Sequence, residues 1–338
     1  MAVERISPAI VMKALKKMRS GKNDSQFSFQ SDCFMEGPDS LVQHLTNLIR
    51  VFVLHGFVPN LILICTLLPL VKDNLADITS SDNYRAIASG SLLLKLLDIV
   101  ILLLEGDKLQ TDQLQFGFQE GSGTVMCSWT ATTVIEHYIN NGTTVFGCAM
   151  DLSKAFDLVQ WVHLFKLLDE KGLSPLFLRV LLYVYRNQVC NVKWNSSVSY
   201  DFPVTNGVRQ GAVSSPLLFS VYIDGPIKLL RNSGLGCRID SYYFGVLGYA
   251  DDLLLLSASR SGLQAMVSIC EKFAMDMGLK FSTNKDPKKS KTKGIVFAKE
   301  KKNENSIAPI ILNGDSLLPW ATEVKTLQKH TSWNQITE

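Results

Sequence analysis

The sequence predicts an α+β fold, with an α/β-like alternation of amphipathic helices and short apolar strands. An apolar content of 46% and a charged content of 19% over 338 residues allow a sizeable core and exclude a globally disordered chain. Segments with helical spacing recur between apolar or β-branched runs that are short enough for strands. Acidic residues follow several of these runs, at the strand ends where such folds place their ligands.

Helices are predicted wherever apolar residues recur with a period near 3.6. Gly56 and Pro59 close the second of these segments, and Pro216 suits the first turn of a later one. The predicted helices cover residues 6–18, 41–55, 91–104, 124–140, 161–171, 176–186, 216–231 and 261–277.

Strands are predicted for residues 61–71, 84–88, 143–150 and 294–297, with hairpins over 189–204 and 244–257. The first two strands form a hairpin that brings Lys72 near Arg85. The last forty or so residues are polar with weak periodicity, and we expect them to pack poorly.

Charge and cysteine usage limit the functional classes. The net charge of +3 permits a nucleic-acid partner without requiring one. Seven dispersed cysteines lack the spacing of a zinc site and predict reduced thiols in an intracellular protein, nuclear or cytoplasmic. Polar residues interrupt the apolar stretches 51–71 and 92–104, so we expect neither a membrane span nor a signal peptide. The oligomeric state is not indicated.

The hairpin over residues 244–257 carries two adjacent carboxylates, Asp251 and Asp252, at its bend. Such a pair is either an ordinary turn or the site of a divalent cation. Asp151, one hundred positions before Asp251, also ends an apolar strand. If the two strands are neighbours, three carboxylates converge, and hard oxygen ligands select Mg²⁺. Two such ions about 3.5–4 Å apart would promote phosphoryl transfer.

Three segments resemble motifs A, B and C of reverse transcriptases, and most of all those of non-LTR (LINE-type) retrotransposons. They are residues 149–157 (Ala-Met-Asp-Leu-Ser-Lys-Ala-Phe-Asp), 206–219 (Asn-Gly-Val-Arg-Gln-Gly-Ala-Val-Ser-Ser-Pro-Leu-Leu-Phe) and 249–252 (Tyr-Ala-Asp-Asp). Residues 83–85 and 116–118 resemble the finger motifs of that family, and residues 20–22 resemble its N-terminal extension. The resemblance covers the chain from residue 6 to about residue 297.

The resemblance implies an RNA-directed DNA polymerase that extends a DNA primer on an RNA template with dNTPs, using two Mg²⁺ ions or Mn²⁺. By this resemblance Asp151 and Asp251 are the principal metal ligands, helped by the backbone carbonyl of Leu152. Asp252 supports the same site. The residues that the resemblance assigns to nucleotide or nucleic acid are Lys72 and Arg85 (triphosphate), Phe156 (a steric gate against a 2′-hydroxyl), Gln210 (nucleotide and template), Lys289 (protonation of the leaving pyrophosphate), and Tyr249 and Arg209 (primer and template). The neighbouring Lys285, Lys288 and Lys291 are alternatives to Lys289.

The resemblance also implies the shape of a polymerase right hand. Fingers are expected from residues 1–120, with 160–205 contributing, and a palm with motifs A to D from 121–300, where helices back an antiparallel sheet. Residues 301–338 are expected to be a truncated primer-grip-like tail, with the thumb absent or rudimentary and no endonuclease domain upstream. The chain would then be a fragment of a retrotransposon polyprotein.

Departures from the family pattern keep an alternative open. Ala212 stands where the family has glycine after Gln210, and a methyl group there can block a close backbone approach or a positive φ. The alternative is a catalytically degenerate remnant with at most nucleic-acid binding. A third interpretation, an RNA-dependent RNA polymerase, is disfavoured by Phe156.

Overall fold

The computed structural model describes residues 2–27, 29–75, 77–119, 121–209, 211–283, 290–299, 307–312, 314, 316–318 and 320–321. The chain divides into two compact units. The first unit comprises Met1–Gln110 and Gln160–Leu218, and the second comprises Thr111–Val159 and Phe219–Glu338.

The α-helices of the described residues follow the predicted helical segments closely. They are α1 (Pro8–Lys17), α2 (Asp32–Met35), α3 (Asp39–His55), α4 (Asn60–Leu63), α5 (Leu92–Glu105), α6 (Thr124–Asn140), α7 (Trp161–Glu170), α8 (Pro175–Asn187), α9 (Ser215–Ile223), α10 (Gly225–Asn232) and α11 (Arg260–Asp276).

The strands include all those predicted and several short ones that the sequence did not indicate. They are β1 (Ile64–Val71), β2 (Tyr84–Ser89), β3 (Val145–Asp151), β4 (Val189–Trp194), β5 (Ser197–Val198), β6 (Phe202–Pro203), β7 (Arg238–Ile239), β8 (Tyr242–Tyr243), β9 (Val246–Tyr249), β10 (Asp252–Ser257), β11 (Lys293–Phe297), β12 (Ile310–Leu312), β13 (Ser316–Leu318) and β14 (Trp320–Ala321).

The first unit combines a small mixed sheet with a helical core. The sheet has the order β2-β1-β4-β5, with β6 also paired to β4. Strand β1 is antiparallel to β2 and parallel to β4. Helix α5 is apolar on most of its surface, and it begins where Asp24 accepts hydrogen bonds from the Ser91 hydroxyl and from Leu92 N (2.7 Å). The buried carboxylate therefore fixes the start of the most apolar helix.

The second unit is built on a sheet of order β14-β11-β3-β10-β9. Strand β3 is antiparallel to both β10 and β11, and β14 runs parallel to β11 at one edge. Helices α6 and α11 pack on this sheet. The leucines of β10 are almost fully buried, as expected for a strand covered by helices. The sheet expected to be antiparallel is therefore mixed, because of its edge strand β14.

Two predicted elements differ in the structure. The predicted helix 216–231 is interrupted at Asp224, because Pro226 in the first turn of α10 lacks the amide that would continue the preceding helix. The predicted strand 61–71 begins with the helical turn α4, whose Ile62 and Leu63 are buried.

The expectation that the tail packs poorly is wrong for its described part. Strands β12 and β13 form an antiparallel hairpin whose Ile310, Leu312 and Leu318 are at most 2% exposed. Trp320 on β14 packs against Phe146 of β3, with ring centroids 5.9 Å apart. Apolar residues spaced two apart, too few to show periodicity, are enough to join these short strands to the second unit.

All seven cysteines are free thiols, which confirms the prediction of reduced cysteines. Within the described part of the chain, no helix combines the length and the apolarity needed to cross a membrane.

Candidate active site

The candidate site lies where β3 and β10 end side by side. The antiparallel register pairs Asp151 directly with Asp252, and Asp252 with Tyr249 across the hairpin. Ala250 and Asp251 form the two-residue bend between β9 and β10. The strands that the sequence predicts as possible neighbours are therefore neighbours, and they bring three carboxylates to one end of the sheet.

Burial and mutual repulsion make the carboxylates costly to ionise. The pKa of Asp252 is raised to about 7, first by burial and then by the charges of Asp251 and Asp151. Burial also raises the pKa of Asp151, although Lys291 partly offsets this effect. Closely spaced carboxylates with raised pKa values are a signature of a functional site.

Lys291 is the cation that faces these acids among the described residues. Its Nζ lies 3.5 Å from Asp151 Oδ2, an ion pair without hydrogen-bond geometry, and its side chain is 70% exposed. The backbone of Asp151 is held on both sides, since its amide donates to Thr292 Oγ1 (3.3 Å) and its carbonyl accepts from Ser282 N (2.7 Å). The segment around Lys291 therefore positions Asp151 as well as balancing its charge.

The donor set fits a hard divalent cation. Asp151 Oδ2 is buried and accepts no hydrogen bond, so it has a lone pair available for a metal ion. Carboxylate and carbonyl oxygens are the ligands that Mg²⁺ prefers. No three acidic, histidine or cysteine side chains of the described residues are already close enough to hold one ion. The carboxylates would therefore have to draw together around it.

Phe156, which follows Asp151 closely in the sequence, belongs to an aromatic cluster with Phe118 and Phe219. The ring of Phe156 stacks on the fully buried ring of Phe219, with centroids 4.4 Å apart and planes inclined by 17°. Phe118 meets the edge of the same ring at 6.3 Å. Phe156 is only partly buried, so one part of its ring is held by packing and another remains accessible.

The cations predicted to bind a triphosphate lie on the β1–β2 hairpin of the first unit. Arg85 pairs with Leu70, and Lys72 N continues the ladder by donating to Asn83 O (2.8 Å). Because side chains alternate along a strand, Lys72 and Arg85 project from the face that carries Leu70. Both residues are exposed, and the predicted hairpin that carries the two cations is confirmed.

Arg209 has a partner that the sequence did not reveal. Its guanidinium lies 3.5 Å from Asp98 on α5, and the two side chains are only 9% and 2% exposed. Burial raises the pKa of Asp98, whereas the charge of Arg209 acts in the opposite direction. Little of Arg209 is therefore accessible to primer or template, and the pair instead anchors the loop that precedes α9.

Two described glycines of that loop have a positive φ, Gly207 (+85°) and Gly211. Gly211 has a φ of +111°, and a Cβ atom there would lie 2.8 Å from Ala88 O. Ala212, which replaces a family glycine, does not have a positive φ. The backbone strain that a positive φ would cause at Ala212 is therefore absent.

Two predicted residues, Gln210 and Lys289, lie outside the described residues. Tyr249 ends β9 and is partly buried beside the carboxylates. The sequence indicated Lys291 only as a neighbour of Lys289, and it gave no signal for the pairing of Asp98 with Arg209, because those residues are 111 positions apart by their numbers.

Comparison with known proteins identifies the family. The model of the family described as reverse transcriptase (RNA-dependent DNA polymerase) matches residues 72–299. The chain is 23% identical over 254 residues to the Retrovirus-related Pol polyprotein from type-2 retrotransposable element R2DM of Drosophila melanogaster. The matched region covers 75% of this chain and 23% of that protein.

Two further relatives come from retrotransposable elements. The Pol polyprotein from type-1 element R2 of Nasonia vitripennis is 33% identical over 45% of this chain and 14% of its own length. The putative 115 kDa protein in type-1 element R1DM of Drosophila melanogaster is 26% identical over 73% of this chain and 23% of its own length. The chain thus spans less than a quarter of each of these proteins. It belongs to the reverse transcriptase family and carries the reverse transcriptase domain of a non-LTR retrotransposon.

Proposed function

We propose that this chain is an RNA-directed DNA polymerase, which joins a dNTP to the 3′-hydroxyl of a DNA primer and releases pyrophosphate. The observation that carries the proposal is the direct pairing of Asp151 with Asp252 beside the bend that bears Asp251. Carboxylates with raised pKa values at adjoining strand ends suit divalent cations, which reverse transcriptases generally use.

In this proposal Asp151 and Asp251 hold two Mg²⁺ ions, for which Mn²⁺ can substitute, together with the carbonyl oxygen of Leu152. Bound there, the ions supply stabilisation of the attacking and leaving oxygens. Asp252 lies opposite Asp151 in the sheet and supports the same site. Its pKa is raised first by burial and then by the neighbouring carboxylates, whose charge a bound cation would offset.

Lys291, which lies near Asp151, would contribute to the charge balance. Lys291 pairs with Asp151, and its exposed side chain could instead reach a phosphate if the carboxylates held cations. Lys289 stays the proposed donor of a proton to pyrophosphate. The exposed Lys72 and Arg85, on one face of a hairpin, suit the grip of a triphosphate.

Phe156 would select deoxyribonucleotides. Its stacking on the buried Phe219 holds the ring rigidly, so a 2′-hydroxyl pressed against it would find no room. This feature supports dNTPs over ribonucleotides as substrates, and it argues against an RNA-dependent RNA polymerase.

A cavity of about 590 Å³ in the first unit supports a single-stranded RNA template as partner. Its wall combines cations with apolar side chains and with the backbone of Gly211, and this mixture suits phosphates and stacked bases. The side chains that supply these two characters are Lys17, Arg19, Lys22 and Lys95, and Leu92, Ile99 and Leu102.

Primer extension on an RNA template tests the proposal. With Mg²⁺ or Mn²⁺ the parent chain should add dNTPs, and Asp251→Ala should lower the rate by at least about 10³-fold, because a principal metal ligand is lost. Asp276→Asn, on an exposed acid at the end of α11, is the matched control and should leave the rate unchanged.

The alternative is a remnant that binds nucleic acid without extending a primer. One of the departures that keep this alternative open, Ala212, does not have a positive φ in the structure. Salt-sensitive RNA binding without extension by the parent under either metal would favour the remnant and refute the polymerase.

A further inference from the structure

A short segment of the second unit runs along the free edge of the site hairpin. Phe116 N donates to Gly248 O, and Gly248 N donates to Leu114 O, both at 2.8 Å. These bonds make a parallel bridge between Gln115 and Gly248. Strand β9 is the last strand of its sheet, so this segment covers an edge that would otherwise be open.

The side chain of Gln115 is directed at one residue of the bend. It is almost fully buried, and its Oε1 accepts hydrogen bonds from Ala250 N and Gly117 N, both at 3.0 Å. Its Nε2 lies 3.5 Å from Ala250 O, at the limit of a hydrogen bond. One amide thus contacts both the N–H and the carbonyl of Ala250, the residue directly before Asp251.

Ala250 needs such support. It has a φ of +55°, in a region that residues with a Cβ atom seldom occupy, so surrounding contacts must hold it there. Gly117 allows the close approach, because a Cβ atom there would lie 2.1 Å from Ala250 N. Ser220 of α9 donates to Gly117 O (3.3 Å) and ties the segment to a helix.

We propose that Gln115 is a positioning residue for the metal site. It holds the backbone of Ala250 in its strained conformation and thereby aims the carboxylate of Asp251. Gln115 acts through Ala250, and its amide groups are used on the protein backbone. The inference rests on the proposed function and adds a residue to its machinery.

The test replaces Gln115 by methionine, which has a similar length and no amide. We expect Gln115→Met to bind Mn²⁺ about tenfold more weakly by electron paramagnetic resonance and to lower kcat by about 10–100-fold, since misplaced metal ligands lose affinity and rate. KM for dNTP should stay within about twofold. Gln188→Met is the matched control, because Gln188 is also buried but donates to Cys190 Sγ in the first unit. Gln188→Met should change neither the affinity for Mn²⁺ nor kcat.

Rescue separates positioning from general support. Ala250→Gly in the Gln115→Met background should regain at least about threefold in Mn²⁺ affinity and in kcat, because glycine adopts a positive φ without help. Loss without any such recovery, or Gln115→Met equal to the parent, would overturn the inference.

A measurement on the parent chain covers the case in which Gln115→Met does not fold. The Ala250 amide should exchange with deuterium at least about 100-fold more slowly than an unprotected amide, because it donates to a buried oxygen. Unprotected exchange would show that Gln115 does not hold the backbone of Ala250. A parent chain that neither extends primers nor binds Mn²⁺ through Asp251 would refute the proposed function instead.

Discussion

Replacing Asp252 by asparagine should stabilise the metal-free chain, and more so at alkaline pH. The pKa of this carboxyl is raised from 3.8 to about 7 in the folded chain by burial and by Asp251 and Asp151. A raised pKa means that the folded chain favours the protonated acid. The associated stability is fully present below pH 3.8 and is lost as pH rises through about 7.

The magnitude follows from the size of this shift. Between pH 5 and pH 8 a single acid with these two pKa values loses about 2.6 kcal/mol at 1.36 kcal/mol per unit, and partial solvation of Asp252 reduces this to about 2 kcal/mol. Asp252→Asn has no such titration. Its advantage in free energy of unfolding over the parent should therefore grow by about 2 kcal/mol between the two pH values.

Urea unfolding in EDTA at pH 5 and pH 8 measures this difference directly. Asp276→Asn, which alters an exposed acid, is the control and should track the parent. A difference between Asp252→Asn and the parent that is the same at both pH values would refute the electrostatic account of the carboxylates.

Three further predictions concern the residues around the site and the first unit. Phe156→Val should lower the preference for dNTPs over ribonucleotides by at least about tenfold in single-nucleotide incorporation, and an unchanged preference would exclude a gate. Arg209→Met should destabilise the chain by about 3–5 kcal/mol in urea unfolding, because it leaves Asp98 buried and unpaired. Adding Asp98→Leu should recover most of that loss, and a double variant as unstable as Arg209→Met alone would contradict this. Gly211→Ala should cost about 1–3 kcal/mol, because its φ is +111°, whereas Ala212→Gly should change the stability by less than about 1 kcal/mol; equal effects at the two positions would contradict the geometry.

The sequence predicted the local elements that the site needs. The hairpin with Asp251 at its bend, the strand that ends at Asp151 and the hairpin that carries Lys72 and Arg85 all appear in the structure. Each was predictable from a short run of adjacent apolar or β-branched residues with turn residues at its ends. Motif spacing added the expectation that distant acids share one site.

Partnerships between distant residues were not predictable in the same way. Gln115 stood in a glycine-rich loop, and nothing local indicated that its amide would hold Ala250, 135 residues away. Asp98 appeared with Lys95 as one of two charges in an apolar helix, and its pairing with Arg209 depends on how that helix packs. Such contacts are set by tertiary packing, which a pattern of neighbouring residues does not encode.

The prediction that the tail packs poorly failed for a related reason. Leu312 and Leu318 lie in strands of three residues, too short to show a period, and strand β12 packs against helix α11, which is distant in the sequence. The break at Asp224 was signalled by Pro226, but the apolar pattern on either side favoured one continuous helix.

Binding of Mn²⁺ to the parent chain, followed by electron paramagnetic resonance, tests the central claim that these carboxylates form a metal site. The account predicts that the parent holds Mn²⁺ in competition with Mg²⁺, and that Asp151→Asn combined with Asp251→Asn abolishes this binding while the fold, monitored by circular dichroism, persists. Equal Mn²⁺ binding by the parent and by the double variant would contradict it.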